Sequence, residues 1–250
     1  LEHLFQPFRA VGSLFQDPGQ KQGGAFHPIQ PVFHVDDVRL ESVQTLVLVV
    51  QIGLQELDAG SLRSGYVNLT QYIGERAGLP FWYDQTNRRI GRIARHSTGL
   101  LSRFEPTEIV EHRLPGRIPG RGAMFIRYGN KKESLVVLIL HLALSQRARM
   151  RQLDYVSEIV NEYRHVILMG DLNCRSNSLE MDFLINRTLM SEPFHDLHTF
   201  PSWRPQHNID HILVTPTLQV DNVKVLNYSL SDHLPVSMEI TLPESVHLPS

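Results

Sequence analysis

Five apolar stretches of this chain lead into, or start from, residues that can do acid–base or metal chemistry. The run Val166-Ile167-Leu168-Met169-Gly170 leads to Asp171 and Asn173, and Glu56 closes the run Leu46 to Leu54. His141 follows Leu135 to Leu140, Asp210 and His211 head Ile212-Leu213-Val214, and Ser231-Asp232-His233 precede Leu234-Pro235-Val236. Charged groups seldom sit beside a core unless they are paired or bound to metal. Their recurrence at strand ends, where folds carry chemistry, points to one convergent site. The set suits hydrolysis of a phosphate ester. Such a reaction needs a hard cation, and Glu56 is the kind of oxygen ligand Mg2+ prefers. It needs a base or orienting acceptor for water, which Asp171 can be, and donors for developing negative charge, which Asn173, His141 and His233 can supply. Asp210 is a candidate holder for His233.

Each member also has a plainer reading. Glu56 could pair with an arginine, His141 could be a satisfied core histidine, and Asp210 and Asp232 could cap turns. Strand alternation sends Asp171 and Asn173 to one side and turns His211 away from Asp210. Cys174 adjoins Asn173, so a nucleophilic thiol is weighed, but a buried bystander fits better. The case rests on the set.

The elements that must carry these residues are mostly strands. Leu46 to Val50 is β-prone and continues through Ile52-Gly53-Leu54 to Glu56. Tyr66, Leu69, Ile73 and Ala77 recur at helical spacing, closed by Gly78 and Pro80. Phe81-Trp82-Tyr83 opens a β-prone piece, Asn87 to Ser97 reads as a basic loop, and Gly99 to Ser102 as a short strand. Ala123 to Tyr128 and Ser134 to Leu142 suggest an antiparallel pair about Gly129-Asn130. Ser145 can cap a helix whose buried stripe is Met150, Leu153, Val156, Val160 and Tyr163. Further strands are expected at Val166 to Met169, Ile209 to Val214, Val223 to Tyr228 and Leu234 to Thr241. Before Leu46, Pro7, Pro18, Pro28 and Pro31 interrupt any regular element, and Val38 to Leu46 offers at most a short helix. The whole reads as mixed α/β with largely antiparallel pairing, in one domain.

A length of 250 residues with 42% hydrophobic content admits one large domain and excludes disorder of the whole chain. The net charge of -2 does not announce a nucleic-acid binder. Yet Gln85 to Arg151 holds 14 Lys+Arg against 4 Asp+Glu, a local balance of +10. Solvated faces on several elements would explain this, as would a positive surface that draws an anionic, phosphorylated substrate. One cysteine excludes an intrachain disulfide and fits a reducing, cytoplasmic compartment. No apolar run reaches the length of a membrane span, and the N-terminus lacks a basic-then-apolar signal pattern. The chain starts at Leu1 rather than Met, as a fragment would.

Five segments occur in a telling order: Gly53-Leu54-Gln55-Glu56-Leu57-Asp58, His141-Leu142-Ala143-Leu144-Ser145, Gly170-Asp171-Leu172-Asn173, Ile209-Asp210-His211-Ile212-Leu213 and Ser231-Asp232-His233-Leu234-Pro235. Together they resemble the endonuclease/exonuclease/phosphatase superfamily. Its members include deoxyribonuclease-type nucleases, abasic-site endonucleases, inositol polyphosphate 5-phosphatases and neutral sphingomyelinases. The resemblance implies a four-layer α/β sandwich of two mainly antiparallel β-sheets flanked by helices. It implies a hydrolase of phosphate esters, diester or monoester, that uses Mg2+ (or Mn2+) and an activated water. By position, Glu56 would bind the metal with Asp232 near it, and Asp171 would orient or deprotonate the water. Asn173 would position the phosphate, His141 would contact a phosphate oxygen, and His233, partnered by Asp210, would stabilise the transition-state charge. The implied partners are nucleic acid, an inositol phosphate or a phospholipid head group.

One family feature is missing. The first family strand carries an asparagine that helps hold the metal, but no asparagine occurs from Leu1 to Tyr66. The expectation is therefore an atypical segment over 1–50, not native to the family, as a shifted reading frame or wrong start would produce. The family domain then covers 51–242, with a loose tail over 243–250. The leading function is a metal-dependent phosphoesterase, and the alternative is an impaired binding module or relic on the same fold.

Overall fold

A computed structural model describes residues 51–91, 93–116, 120–130, 132–195, 197–229 and 231–249; the short helix and β-prone run expected before Gln51 lie outside them. The first elements are β1 (Gln51–Asp58), α1 (Leu69–Arg76), β2 (Phe81–Ile90), β3 (Ala94–Ser102), β4 (Glu108–Arg113) and β5 (Gly122–Tyr128). There follow β6 (Leu135–His141), α2 (Gln146–Val160), β7 (His165–Asp171), α3 (Leu179–Thr188), β8 (Asp210–Val214), β9 (Gln219–Val225) and β10 (Val236–Thr241). They make a three-stranded sheet β1-β3-β2, a five-stranded sheet β4-β5-β6-β7-β8 and a β9–β10 ribbon. Pairing is antiparallel except between β6 and β7, which α2 joins as a crossover helix.

Period-two alternation assigns each side chain to a layer. Met124, Ile126, Val137, Ile139, Ile167 and Met169 share the inter-sheet core with Leu100 of β3 and Val236, Met238 and Ile240 of β10. Their neighbours Phe125, Val136, Leu138, Leu140, Val166 and Leu168 pack instead with Leu153, Val156 and Val160 of α2 and Met181 and Leu184 of α3. On the far side Leu54, Leu57 and Leu101 pack with Ile73 of α1. The result is helix, sheet, sheet, helix: the expected sandwich. Each fully buried Leu, Ile or Met contributes about 1.5–3 kcal/mol. The two sheets approach closely at Gly53, where a Cβ would stand 3.2 Å from Met169 Cε. Among the described residues no helix is long and apolar enough to cross a membrane.

Several local expectations are corrected. The basic loop over 87–97 is a hairpin, with Arg88 opposite His96 and Arg89 opposite Arg95. Among the described residues β2 is an edge strand, where exposed arginines are tolerated and even protective, so charge does not mean loop. Tyr66 precedes α1 in a left-handed turn (φ 66°), and the helix starts after Asn68, whose side chain accepts from Gln71 N–H at 3.2 Å. Helix α3 is an element beyond those expected from the sequence: Ser178 caps it and Glu180 and Asp182 occupy its first turn. β9 begins at Gln219 and stops at Val225. The segment after Leu242 is not loose: Val246 is buried in the inter-sheet core and Ser245 Oγ donates to Glu133 at 2.9 Å.

Gly170 lies within β7 at φ 140°, and a Cβ there would overlap the Leu140 carbonyl and the Gln55 side-chain amide. Gly170→Ala is therefore expected to destabilise the fold by about 3 kcal/mol, through backbone strain and overpacking. Calorimetry should register a melting point lower by about 6–12 °C; a change under about 2 °C would contradict this account.

Candidate functional site

Three adjacent strands deliver three polar groups at one level. His141 of β6 is paired with Asp171 of β7, and Asp171 with Asp210 of β8. All three are buried. His233 comes from the segment before β10, and its Nδ1 stands 2.7 Å from Asp210 Oδ2. The same oxygen accepts from Thr199 Oγ1 at 2.5 Å. The Phe200 ring lies 4.7 Å from the His233 ring. His233 is thus held at one nitrogen and against an aromatic face, while Nε2 has no partner among the described residues.

The turn after β7 organises the acid and the amide. Asp171 Oδ1 accepts from Asn173 N–H at 2.8 Å. Asn173 Nδ2 donates to Asp171 Oδ2 at 3.2 Å and to the Leu142 carbonyl at 3.0 Å. Both amide hydrogens therefore have acceptors within the protein. Asn173 adopts φ 51°, a left-handed conformation that asparagine tolerates better than most residues. His141 Nε2 is 3.5 Å from Asp171 Oδ2 and Nδ1 is 3.9 Å from Glu56 Oε1. The imidazole sits between the two carboxylates without bonding tightly to either.

Burial sets the charge states. Burial foremost, then the Asp210 charge, raises the Asp171 pKa to about 7, against the pull of His233, Asn173 N–H and Arg121. Burial, helped by the charges of Arg121, His233 and His96, pushes His141 down to about 3, so its ring is neutral. Burial also opposes a charge on His233. The hydrogen bond and charge of Asp210, with Asp171 and Asp232, outweigh it and lift His233 to about 9. The centre thus combines a cationic donor, a neutral imidazole and a carboxylate that exchanges its proton near neutrality.

Glu56 enters from the other sheet. β1 does not end there, as expected, but runs on to Asp58. The register slips between Leu54 and Leu57, and Glu56 sits in that bulge at φ 55°. A bulge re-aims a side chain, and this carboxylate is 53% exposed. It lines a groove of about 750 Å3 together with His141 and Arg121. Its neighbour Gln55, in the same Gly53–Asp58 segment, points inward. Gln55 Nε2 donates to the Leu140 carbonyl and Oε1 accepts from Asp171 N–H at 3.1 Å. A buried polar residue beside Glu56 was the available signal. Asp232 is half-buried; its carbonyl accepts from Ser202 N–H at 2.7 Å and its carboxylate has no bonded partner among the described residues.

Among the described residues, no three His, Cys, Asp or Glu side chains gather into a metal-binding group. Glu56 and Asp232 are not joined by a third such ligand. Among the described residues no Lys or Arg lies in salt-bridge contact with Glu56, and such an exposed carboxylate still fits Mg2+, which keeps several waters and takes one or two carboxylates plus substrate oxygens.

His211 faces away from Asp210, as alternation requires. Its Nδ1 is 2.6 Å from Glu192 Oε1 and its Nε2 is 2.8 Å from the Cys174 carbonyl, so it braces the turn that carries Asn173. The Cys174 thiol is buried, which pushes its pKa up to about 12, out of nucleophilic range. Burial opposes a charge on His211, but Glu192 raises its pKa, and burial opposes a charge on Glu192, but His211 lowers its pKa. Their mutual stabilisation is complete between the ordinary values of 4.5 and 6.5. It is lost as pH rises through the raised value of His211 and as pH falls through the lowered value of Glu192. Glu192→Gln should cost about 3 kcal/mol near pH 6 and clearly less in strong base, as read by urea unfolding at both pH values. An equal loss at both would exclude the charged pair.

No curated protein sequence is matched by this chain. Solved structures are. Mannosyl-6-phosphatase from Bacteroides thetaiotaomicron is 19% identical with a TM-score of 0.60, over 78% of this chain and 86% of that one. The human Nocturnin catalytic domain with bound sulfate is 17% identical with a TM-score of 0.61, over 78% and 81%. D. rerio TDP2 with a single-strand DNA product is 15% identical with a TM-score of 0.62, over 94% and 99%. These likenesses establish the fold. The model of the Endonuclease/Exonuclease/phosphatase family matches residues 51–233, which contain every strand-end residue of the candidate site from Glu56 to His233. On the fold, the motif order and this match, the chain belongs to the endonuclease/exonuclease/phosphatase family.

Proposed function

We propose that this protein is a Mg2+-dependent hydrolase of phosphate esters, with Mn2+ able to replace Mg2+, and with residues 51–242 as its catalytic domain. The observation that carries the reading is the row His141, Asp171, Asp210 across β6, β7 and β8, with His233 clamped on Asp210 at 2.7 Å. Asp171, with a pKa near neutrality, takes the proton of the attacking water. Asn173, with both its amide hydrogens engaged inside the turn, orients that carboxylate beside the phosphate-positioning role the resemblance gives it. His233 donates from Nε2 to the oxygens on which charge develops, and Asp210 keeps it cationic. His141 contributes a neutral donor to the same phosphate. Glu56 would hold the metal, with Asp232 as the second carboxylate. When bound, Mg2+ supplies charge neutralisation and orientation at the phosphate oxygens.

The neighbours named above include a sugar phosphatase and a protein bound to DNA product, so a phosphorylated anion is the common class. The single buried cysteine suits a reducing compartment, and a cytoplasmic location is part of this proposal. The test is hydrolysis of bis-p-nitrophenyl phosphate and p-nitrophenyl phosphate after EDTA treatment, with Mg2+ or Mn2+ then restored. Turnover of either ester that vanishes in EDTA and returns with metal is the expected result. Turnover unaffected by EDTA, or none at any metal concentration, overturns the reading.

A further inference from the structure

The groove lined by Glu56 and His141 extends well beyond them. Its other walls come from the β2–β3 hairpin and the first turns of α2, and they carry Arg88, Arg147 and Arg151. All three are exposed, and none has a carboxylate partner among the described residues. Some arginines elsewhere are paired, Arg127 with Glu108 at 2.9 Å, Arg149 with Glu180 at 2.6 Å and Arg187 with Asp154 at 3.0 Å. Others, such as Arg89 and Arg204, also lack a carboxylate partner among the described residues. What sets Arg88, Arg147 and Arg151 apart is that they line one groove. On α2 itself, Arg149 is paired with Glu180, whereas Arg147 and Arg151 on the groove side have no acid partner among the described residues.

The placement also opposes the electrostatics of the helix. Arg147 and Arg151 are like charges at i and i+4, which repel. The first turn of α2 contains no acid, and Arg147 stands at the positive end of the helix dipole. Local choices that work against the element that bears them mark a functional demand. Arg88 is given room in a comparable way. Gly120 lies under its stem at φ 111°, and a Cβ there would come within 3.2 Å of Arg88 Cβ. At about 750 Å3 the groove also exceeds what one phosphate group fills.

We propose that this groove is a second anion subsite, in which Arg88, Arg147 and Arg151 hold a non-scissile phosphate of a substrate that carries at least two. The proposal rests on the phosphoesterase reading of the adjoining centre. The second phosphate belongs either to a compact polyphosphorylated molecule or to a nucleic-acid backbone; the chemistry of recognition is the same.

Binding in EDTA, without turnover, separates this proposal from the catalytic one. The full chain is titrated calorimetrically with inorganic tripolyphosphate and by fluorescence anisotropy with a short labelled single-stranded oligonucleotide. The same titrations are run on R147E/R151E, on Arg88→Ala and on a charge-matched control, R164E/K224E, altered away from the groove. The parent should bind at least one probe with a Kd below about 1 mM. R147E/R151E should weaken that binding at least about tenfold and Arg88→Ala about threefold, with a shallower salt dependence, while the control stays within about twofold. Tripolyphosphate binding assigns a compact substrate, and binding of the oligonucleotide alone assigns a strand. No binding of either probe, or equal loss in the control, overturns the subsite. Metal-dependent hydrolysis that fails while this binding pattern holds would sink the catalytic reading and leave the groove as an anion site.

Discussion

Asp171→Asn should lower kcat for phosphodiester hydrolysis about 10²–10⁴-fold at saturating Mg2+, with KM little changed. The exchange keeps size and shape but removes the group that can accept a proton. It also sets an amide beside the Asn173 Nδ2 that now donates to Asp171 Oδ2 at 3.2 Å. The sign of the stability change is opposite. The Asp171 carboxyl is buried and its pKa is raised from 3.8 to about 7, so its ionisation above 3.8 works against the folded state. A neutral asparagine removes that penalty. In EDTA at about pH 8 the variant should therefore be more stable than the parent by about 1 kcal/mol or more. A variant that keeps parental turnover would remove Asp171 from the role of base, while destabilisation at this pH would contradict only the account of its buried charge.

The second large effect concerns a pair. His233→Ala should reduce kcat about 10²–10³-fold, the usual loss when one preorganised donor to a developing oxyanion is deleted. Asp210→Asn should have a similar effect. Asp210 reaches the reaction through the 2.7 Å bond to His233 Nδ1, so without it the imidazole loses both its orientation and the charge that lifts its pKa to about 9. The informative measurement is the double variant. If Asp210 works through His233, the two losses will not multiply, and Asp210→Asn/His233→Ala will be no slower than His233→Ala. Multiplying losses would give Asp210 a separate task, such as holding Thr199 at 2.5 Å.

Most of the site was legible because it is written at strand ends. Asp171, Asp210 and His141 stand out as polar residues closing or opening apolar runs, and strand pairing then sets them at one level. The alternation that turns His211 away from Asp210 was equally readable. Three things were not. The bulge at Glu56 depends on a register slip against β3, which is fixed by the partner strand rather than by the residues of β1. The role of Gln55 depends on two sheets meeting, a contact between residues separated by 85 positions and more. The hairpin over 87–97 was hidden because its exposed arginines resemble a loop, whereas an edge strand accepts them. Helix α3 carried readable caps that competed poorly with the polar residues around it.

Helix α2 gives the molecule two kinds of freedom that do not interfere. Its inner face, with Leu153, Val156 and Val160, secures the crossover that makes β6 and β7 parallel, and so places His141 beside Asp171. Its outer face carries Arg147 and Arg151, which line the groove. Substitutions on the outer face can retune which anion is held without disturbing the strand order. Substitutions on the inner face endanger the fold whatever the substrate. Selection for a new ligand therefore has a helix surface on which to act at nearly constant stability, a few residues away from chemistry that must not change.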